Sequence, residues 1–199
     1  MNVKKDFFKD SKIKFPAYEP WISNDDKQIV NKALSQSMLT LGPQLEKFEK
    51  DFCKYSKSKY AVAVSNCTAA LHLSLMALGI KKDDEIIIPD LTFVADANAV
   101  LACNAKPVIT DINQNNFFLS ISNLKKNITK KTKAIIPVHI YGQVCNIEEI
   151  LDVAKDNNLK VIEDCAHAVG TFHKSKHVGT LGNTGCFSFY PTKNITTAE

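Results

Sequence analysis

The sequence contains no arginine: all 25 basic residues are lysine. A guanidinium group binds carboxylates and phosphates through two parallel hydrogen bonds, so any contact of that kind would have to come from outside this sequence. The 21 acidic residues leave a net charge of +4, spread along the sequence. Binding of nucleic acid usually needs a concentrated basic surface, and we therefore predict no nucleic-acid partner.

Long hydrophobic runs are absent as well. No apolar segment approaches the roughly 20 residues that a membrane-spanning helix needs, and the charged first 20 residues lack the apolar core of a signal peptide. The six cysteines include no Cys-x-x-Cys pair, which argues against a zinc ribbon or a disulfide framework. We therefore predict a cytoplasmic protein with reduced thiols and no membrane partner.

Short apolar runs alternate with segments of helical periodicity from residue 60 onward. The predicted strands span residues 60–65, 85–89, 106–110, 133–140 and 160–164. Helical spacing covers residues 68–78, 93–103, 122–128 as a short turn, and 146–157, where Asn146 and Glu149 resemble a capping pair. This alternation predicts an α/β fold with a mainly parallel sheet, strands buried on both faces by helices, and ligands at the carboxyl ends of the strands.

The region before the first predicted strand has a different pattern. Residues 23–34 and 44–54 have the periodicity of amphipathic helices, and Gly42-Pro43 forces a turn between them. We divide the chain into an amino-terminal arm, residues 1–58, and a truncated large domain, residues 59–199. Because the sequence stops shortly after its candidate catalytic residue, we expect it to be the amino-terminal part of a longer protein.

Lys193 is the candidate catalytic residue. It follows an apolar run that ends at Pro191, and an amine beside an apolar surface can lose its proton and attack a carbonyl carbon. Most lysines are solvated surface charges, so supporting groups are needed. Asp164 ends a predicted buried strand, where a carboxylate needs a cationic or hydrogen-bonding partner. Together they predict a pyridoxal phosphate site, with Lys193 for the aldehyde and Asp164 for the pyridinium nitrogen.

Further residues suit the same cofactor. Residues 65–68 lie where the first predicted strand turns into a helix, so backbone N–H groups and the helix dipole favour a phosphate there, although the same residues are also common helix caps. Phe93 could stack on a flat ring or belong to the core. His167 could reach the phenolic oxygen of the cofactor or bind backbone atoms.

Two other classes of site are disfavoured. The spacing of His167, His173 and His177 permits zinc, but the predicted hairpin over residues 171–178 places alternate side chains on opposite faces, and no fourth ligand is evident. We predict no metal site. Nucleotide redox chemistry is disfavoured because no Gly-x-Gly-x-x-Gly follows a predicted strand.

Five segments occur in a defined order along the chain. They are residues 65–72 (SNCTAALH), 89–95 (PDLTFVA), 136–142 (IPVHIYG), 162–167 (IEDCAH) and 187–194 (FSFYPTKN). Their sequences and their order resemble the DegT/DnrJ/EryC1/StrS sugar aminotransferases over nearly all the chain from Phe15 onward. Five collinear motifs make this resemblance far more specific than any one of them.

The resemblance implies the large domain of a fold type I pyridoxal phosphate enzyme, with a mixed, mainly parallel seven-stranded sheet and with the small carboxyl-terminal domain absent. The lysine matching Lys193 would bind the cofactor covalently, and the acid matching Asp164 would pair with the ring nitrogen. The cofactor-binding residues carried over are Asn66, Cys67, Thr68, Phe93, Asp164, His167, Ser188 and Lys193. Among them, Thr68, Ser188 and the backbone at Cys67 would hold the phosphate, Phe93 would stack on the ring, and His167 would contact the ring oxygen.

The resemblance also implies a reaction. Relatives transfer an amine, typically from glutamate, to a keto group on a nucleotide-activated sugar for amino-sugar and surface-glycan biosynthesis, and we expect a homodimer. The chain alone is expected to bind cofactor weakly or to be inactive.

A sugar dehydratase of the same family is disfavoured, because there histidine replaces the lysine matching Lys193. A non-catalytic regulatory or dimerisation module derived from the fold is the other alternative.

Cys67 replaces a glycine of many relatives, and at a helix amino terminus the pKa of its thiol is expected to fall.

Overall fold

The computed structural model describes residues 20–197 of the chain. The helices are α1 (Asn24–Leu34), α2 (Pro43–Ser56), α3 (Cys67–Ala77), α4 (Ala95–Ala102), α5 (Ile121–Asn127) and α6 (Ile147–Asp156), with a short 3-10 helix at Ile140–Gly142. The strands are β1 (Glu85–Pro89), β2 (Lys106–Thr110), β3 (Thr132–Ile135), β4 (Lys160–Asp164), β5 (Phe172–His173), β6 (Lys176–His177) and β7 (Thr184–Cys186). No helix within residues 20–197 combines the length and apolarity needed to cross a bilayer.

A parallel sheet forms the centre of the fold. Its strand order is β2-β1-β3-β4-β7, and every neighbouring pair in it is parallel, while β5 and β6 form the predicted separate hairpin. The parallel sheet is thus confirmed, but in the described residues it has five strands rather than seven. The segment 60–65 is not a strand, because its backbone finds other partners: the N–H of Ala63 donates to Glu49 Oε1 of α2 at 2.9 Å.

Alternating side chains of the strands build two apolar cores. Ile86 and Ile88 of β1 pack with side chains of α3 and α4, whereas Ile87, between them, packs with side chains of α5 and α6. Successive residues of a strand point to opposite faces, so helices cover both faces of the sheet, as predicted. Burial of these aliphatic side chains is the main stabilising contribution to the domain.

Two local predictions are wrong. Strand β2 is not buried on both faces, because it lies at the edge of the sheet and Ile109 is 61% exposed. The predicted capping pair of α6 is also absent, since Asn146 makes no side-chain hydrogen bond to the helix. Its backbone has φ −68° and ψ 53°, outside the extended region from which a capping side chain reaches the first turn.

Aromatic contacts join α2 to the sheet domain. Phe52 lies edge-on to Phe187, with ring centroids 5.0 Å apart, and Phe48 contacts Phe189 at 5.2 Å. Both partners follow β7, in the segment that leads to Lys193. The second predicted arm helix therefore supports the segment that carries the candidate catalytic lysine. The division of the chain at residue 58 stays a prediction.

We predict that Gly185→Ala in β7 destabilises the protein. A Cβ atom at this position would lie against the Cα and carbonyl oxygen of Gly179, and backbone atoms cannot move aside as a flexible side chain does. Overpacking of this kind costs about 1–3 kcal/mol of unfolding free energy. The matched control is Gly170→Ala, whose new atom would be 3.7 Å from Tyr55 Oη, an ordinary contact. Urea denaturation measures both variants, and equal midpoints would contradict the prediction.

Candidate active site

The candidate site lies at the carboxyl end of the sheet. Asp164 is the last residue of β4 and is in register with Cys186, the last residue of β7. Because the two strands are parallel, the chain that follows β7 leaves the sheet beside Asp164. The first residue of α3 also lies at this site, since the Cys67 thiol interacts electrostatically with Asp164 and Lys193.

The amine of Lys193 is held near Asp164 without a direct partner. The backbone N–H of Lys193 donates to the carbonyl oxygen of Tyr190 at 2.9 Å, in a turn that positions the half-buried side chain. Its charge interacts with Asp164, His167 and Cys67. Within residues 20–197, the amine has neither a hydrogen-bond acceptor nor an ion-pair partner. The structure therefore brings together the two residues at the centre of the sequence prediction and leaves the amine available.

Asp164 is buried, with 5% of its surface exposed. Its Oδ1 accepts a hydrogen bond from the Ala166 N–H at 2.8 Å. Burial raises the pKa of Asp164, although the Ala166 N–H and the charge of Lys193 act in the opposite direction. A carboxyl group in this position gains free energy from a further cationic or N–H partner.

Asp96 is a site residue that the sequence prediction missed. It lies in the first turn of α4, its side chain is 0% exposed, and its carboxyl group lies near that of Asp164 and interacts with it electrostatically. Burial raises the pKa of Asp96 to about 8, and the charge of Asp164 adds to the effect. The signal for it was a carboxylate in the otherwise apolar helical segment 93–103, directly after a segment that carries the family resemblance.

The amino terminus of α3 has the features of an anion site. Asn66 caps the helix, with Oδ1 accepting from the Ala69 N–H at 2.9 Å. In the part of the chain that the structure describes, the backbone N–H groups of Cys67 and Thr68 have no acceptor. Free N–H groups and the helix dipole favour a phosphate at this point. Asn66 is therefore a helix cap, whereas anion binding by the next two residues stays a prediction, with these free N–H groups in its favour.

The predicted fall in the pKa of Cys67 is wrong. Burial raises the pKa of this thiol, and the nearby carboxyl group of Asp164 raises it further. The helix dipole is the only favourable influence that the sequence indicated, and it is outweighed because desolvation penalises the thiolate. Cys67 therefore stays a neutral thiol at the bottom of the site.

Ser188 and Phe93 each have a group that is available to a ligand. Ser188 Oγ accepts a weak hydrogen bond from the Tyr190 N–H at 3.4 Å, which leaves the hydroxyl hydrogen free to donate. Phe93, between β1 and α4, is 73% exposed, so its ring does not belong to the core. An exposed ring at this edge of the sheet can stack on a flat ligand.

His167 is oriented by Tyr141. Its Nδ1 accepts a hydrogen bond from the Tyr141 backbone N–H at 3.3 Å, and the two rings are stacked with centroids 5.6 Å apart. Burial lowers the pKa of His167, and the charge of Lys193 lowers it further. The imidazole is therefore neutral at pH 7, and since Nδ1 is the acceptor, the proton is on Nε2. His167 can donate that proton in a hydrogen bond to a ligand oxygen.

The three histidines considered for zinc have separate partners. His173 pairs with Glu148 at 3.2 Å, and both ring nitrogens of His177 face carbonyl oxygens, those of Val178 and Val169, at 2.6 Å. Both nitrogens of His177 are thus directed at carbonyl oxygens of the chain rather than at a position that a metal ion could occupy. The prediction of no metal site stays a prediction, with this geometry in its favour.

A second buried carboxylate, Glu163, precedes Asp164 on the opposite face of β4. Its Oε2 accepts from His139 Nε2 and the Gly179 N–H at 2.9 Å, and its Oε1 accepts from the N–H groups of Leu181 and Gly182 at 2.8 and 2.7 Å. Burial alone would raise the pKa of Glu163, but the hydrogen bonds from His139, Gly182 and Gly179 lower it below the ordinary value.

The Glu163 network is structural. One ligand atom each of His139, Glu163 and Cys165 lies within 4.8 Å of the other two, a spacing that could hold a metal ion. However, His139 uses Nε2 to donate to Glu163 and Nδ1 to accept from the Cys145 N–H at 3.2 Å, and both oxygens of Glu163 already accept two hydrogen bonds. Since the donors and acceptors satisfy one another, the network anchors residues 179–182 to the sheet rather than coordinating an ion.

Comparison with known proteins identifies the family. A model of the DegT/DnrJ/EryC1/StrS aminotransferase family matches residues 20–199, and the chain belongs to this family. GDP-perosamine synthase of Escherichia coli O157:H7 is 44% identical over 185 residues, which make up 92% of this chain and 51% of that protein. The chain thus spans about half the length of the curated relatives it matches.

Solved structures have the same fold. The PLP form of Spr1654 from Streptococcus pneumoniae superposes with a TM-score of 0.91 at 30% identity, covering 94% of this chain and 52% of that chain. Helicobacter pylori PseC, an aminotransferase involved in the biosynthesis of pseudoaminic acid, gives a TM-score of 0.89 at 31% identity, with 94% and 51% covered. The predicted fold class, a parallel sheet with helices on both faces as in the large domain of pyridoxal phosphate-dependent aminotransferases, is therefore confirmed.

We predict that Glu163→Gln lowers the free energy of unfolding by about 3 kcal/mol at neutral pH, because the two N–H groups that donate to one of its oxygens would face an NH₂ group instead of lone pairs. Urea denaturation measures this loss. The exposed Glu149 of α6 provides the control Glu149→Gln, which should unfold like the wild type.

The difference in unfolding free energy between the wild type and Glu163→Gln should depend on pH. Because the pKa of Glu163 is lower in the folded protein than in the unfolded chain, its ionised form stabilises the fold above the ordinary glutamate pKa of about 4.3. This contribution is lost as the pH falls through the folded-state pKa. The difference between wild type and Glu163→Gln should therefore shrink in acid, and a difference that stays constant with pH would contradict the assignment.

Proposed function

We propose that this protein transfers an amine to a keto group on a nucleotide-activated sugar, with pyridoxal phosphate as cofactor and glutamate as the amino donor. The observation that carries the proposal is the unpaired amine of Lys193, held near the buried carboxyl group of Asp164 in a chain of this aminotransferase family. The proposed product is an amino sugar for a surface glycan or a related polysaccharide.

The residues present fit pyridoxal phosphate. Lys193 offers a free amine for the aldehyde carbon, and Asp164 has capacity for an N–H donor such as the pyridine nitrogen. The phosphate would be held by the free N–H groups of Cys67 and Thr68 and by the hydroxyl groups of Thr68 and Ser188, near the cap residue Asn66. Phe93 would stack on the ring, and His167 Nε2–H would donate to the ring oxygen.

Each residue then has a distinct task. When bound, pyridoxal phosphate supplies an electron-accepting ring. Asp164, as a carboxylate, would keep a proton on the pyridine nitrogen, and His167 holds its neutral tautomer because Nδ1 accepts from the Tyr141 N–H. Lys193 Nζ would be the base that removes a proton from the α-carbon of the amino donor and delivers it to a carbon of the cofactor.

The substrate class is proposed from the relatives and from the composition. One relative is a GDP-perosamine synthase, and another is an aminotransferase involved in the biosynthesis of pseudoaminic acid. A nucleotide diphosphate and the carboxylates of glutamate need cationic partners, and this chain offers lysine but no arginine. We infer that arginine side chains for these groups come from outside the sequence given, and that the reaction takes place in the cytoplasm, where the six free cysteines would stay reduced.

A homodimer is part of the proposal. Helix α1 has no buried side chain, although Ile29, Val30 and Leu34 lie on it and are more than half exposed. An amphipathic helix of this kind gains stability when another surface covers its apolar side chains. We propose that a second copy of the protein provides that surface.

The Lys193 role predicts a spectroscopic result for the full-length protein loaded with pyridoxal phosphate. The wild type should have a visible absorption band that glutamate bleaches, whereas Lys193→Ala should lack both the band and the response. Amine transfer should fall by about 10²–10⁴-fold or more. Lys176→Ala, an exposed lysine on β6, is the control and should behave like the wild type. A wild-type spectrum that glutamate leaves unchanged would contradict the proposal.

The dimer predicts an association that depends on α1. Sedimentation equilibrium of the full-length wild type should give a dimer, and Val30→Glu should weaken it, because a charge would be buried at the interface. Gln28→Glu adds the same charge to an exposed polar position of α1 and should leave the dimer intact. A monomeric wild type, or equal association of the two variants, would contradict this assignment of the surface.

A further inference from the structure

The Asp96–Asp164 pair is not explained by the proposed function. Asp96 is 0% exposed and Asp164 5% exposed, and their carboxyl groups are close enough to interact electrostatically. Two carboxylates cannot donate to each other, so a hydrogen bond between these groups requires a proton on one of them. Adjacent buried carboxyl groups cannot both be ionised at modest cost, and the pair therefore keeps one proton.

The other donors around the pair decide which carboxyl group carries that proton. Asp164 receives the Ala166 N–H at 2.8 Å and the favourable charge of Lys193, both of which stabilise its ionised form. Asp96 receives only the hydroxyl of Thr92, whose Oγ1 donates to Oδ2 at 2.5 Å. Its Oδ1 is a buried oxygen to which no other group within residues 20–197 donates. An O–H on this side of Asp96 satisfies both carboxyl groups.

We propose that Asp96 is a positioning residue of the active site: as a neutral acid it donates its O–H to Asp164 and fixes the carboxylate that faces the cofactor's ring nitrogen. This inference rests on the proposed function, because it assigns a partner to the proposed role of Asp164. A hydrogen bond donated to a carboxylate stabilises the ionised form and makes it a weaker base. Asp96 would thus keep Asp164 ionised and oriented, and leave the shared proton on the pyridine nitrogen.

The remaining titratable groups around the pair do not compete for this proton. Cys67 of α3 and Cys186 of β7 both face the carboxyl groups, and burial raises the pKa of each thiol, so both are neutral. Glu163 lies beyond β4 and is satisfied by its own donors, with His139 among them. Lys193 is the cation that faces Asp164 from the segment after β7.

The test compares two substitutions of similar size in the full-length protein. Asp96→Asn keeps a hydrogen-bond donor toward Asp164 but cannot titrate, whereas Asp96→Leu removes the donor and leaves no cavity. Binding of pyridoxal phosphate, followed by absorbance, should weaken about tenfold or more in Asp96→Leu and stay within about threefold of wild type in Asp96→Asn. Equal affinities of wild type and Asp96→Leu would overturn the inference.

A second measurement needs no cofactor. The infrared spectrum of the unliganded wild type should contain the carbonyl stretch of a protonated carboxylic acid at neutral pH, and this band should disappear as the pH rises through about 8. Asp96→Asn should lack it. A band that is absent from the wild type, or that persists in Asp96→Asn, would overturn the inference whatever the cofactor does.

Asp164→Asn separates failure of the inference from failure of the proposed function. If Asp164→Asn loses the cofactor's normal spectrum while Asp96→Leu binds like the wild type, the proposed function stands and the role of Asp96 is wrong. If Asp164→Asn leaves both affinity and spectrum unchanged, Asp164 does not face the ring nitrogen, and the inference is overturned together with that assignment.

Discussion

The burial of two adjacent carboxylates at the end of β4 is the constraint on which the rest of the structure depends. Glu163 and Asp164 point to opposite faces of the sheet, because successive side chains of a strand alternate. Both are taken out of water, and a buried charge is costly without partners. The fold provides those partners in two different ways: Glu163 serves the stability of the fold, and Asp164 belongs to the candidate site.

On one face, the requirement is met within the chain. Glu163 accepts four hydrogen bonds, from His139 and from three backbone N–H groups in the segment 179–182, so that its charge holds the loop before β7 against the sheet. On the other face, within residues 20–197, Asp164 has fewer donors, the proposed neutral acid Asp96 as a neighbour, and nearby the amine of Lys193, which has no hydrogen-bond acceptor. The first arrangement is complete and stabilises the fold, whereas the second retains capacity for a ligand.

Some features were predictable from the sequence because local pattern decides them. The bounds of β1, β2 and β4 agree with the predicted runs 85–89, 106–110 and 160–164, since short aliphatic segments bounded by polar residues have few alternatives. The predicted strand 133–140 ends early, at Ile135, because Pro137 follows and cannot donate a ladder hydrogen bond. Segment 60–65 has the same local pattern as a strand, but its backbone partner is a glutamate of α2.

The sequence by itself determined the alternation of strands and helices, the five motifs and their order, and hence the family, the cofactor class and the choice of Lys193 and Asp164. Only the tertiary structure decided that Asp96 meets Asp164, that Glu163 is satisfied by a distant loop, and that burial outweighs the helix dipole at Cys67. The reason is physical. Hydrogen-bonding order along a strand or helix is local, whereas desolvation and contact between charges depend on which distant segments pack together.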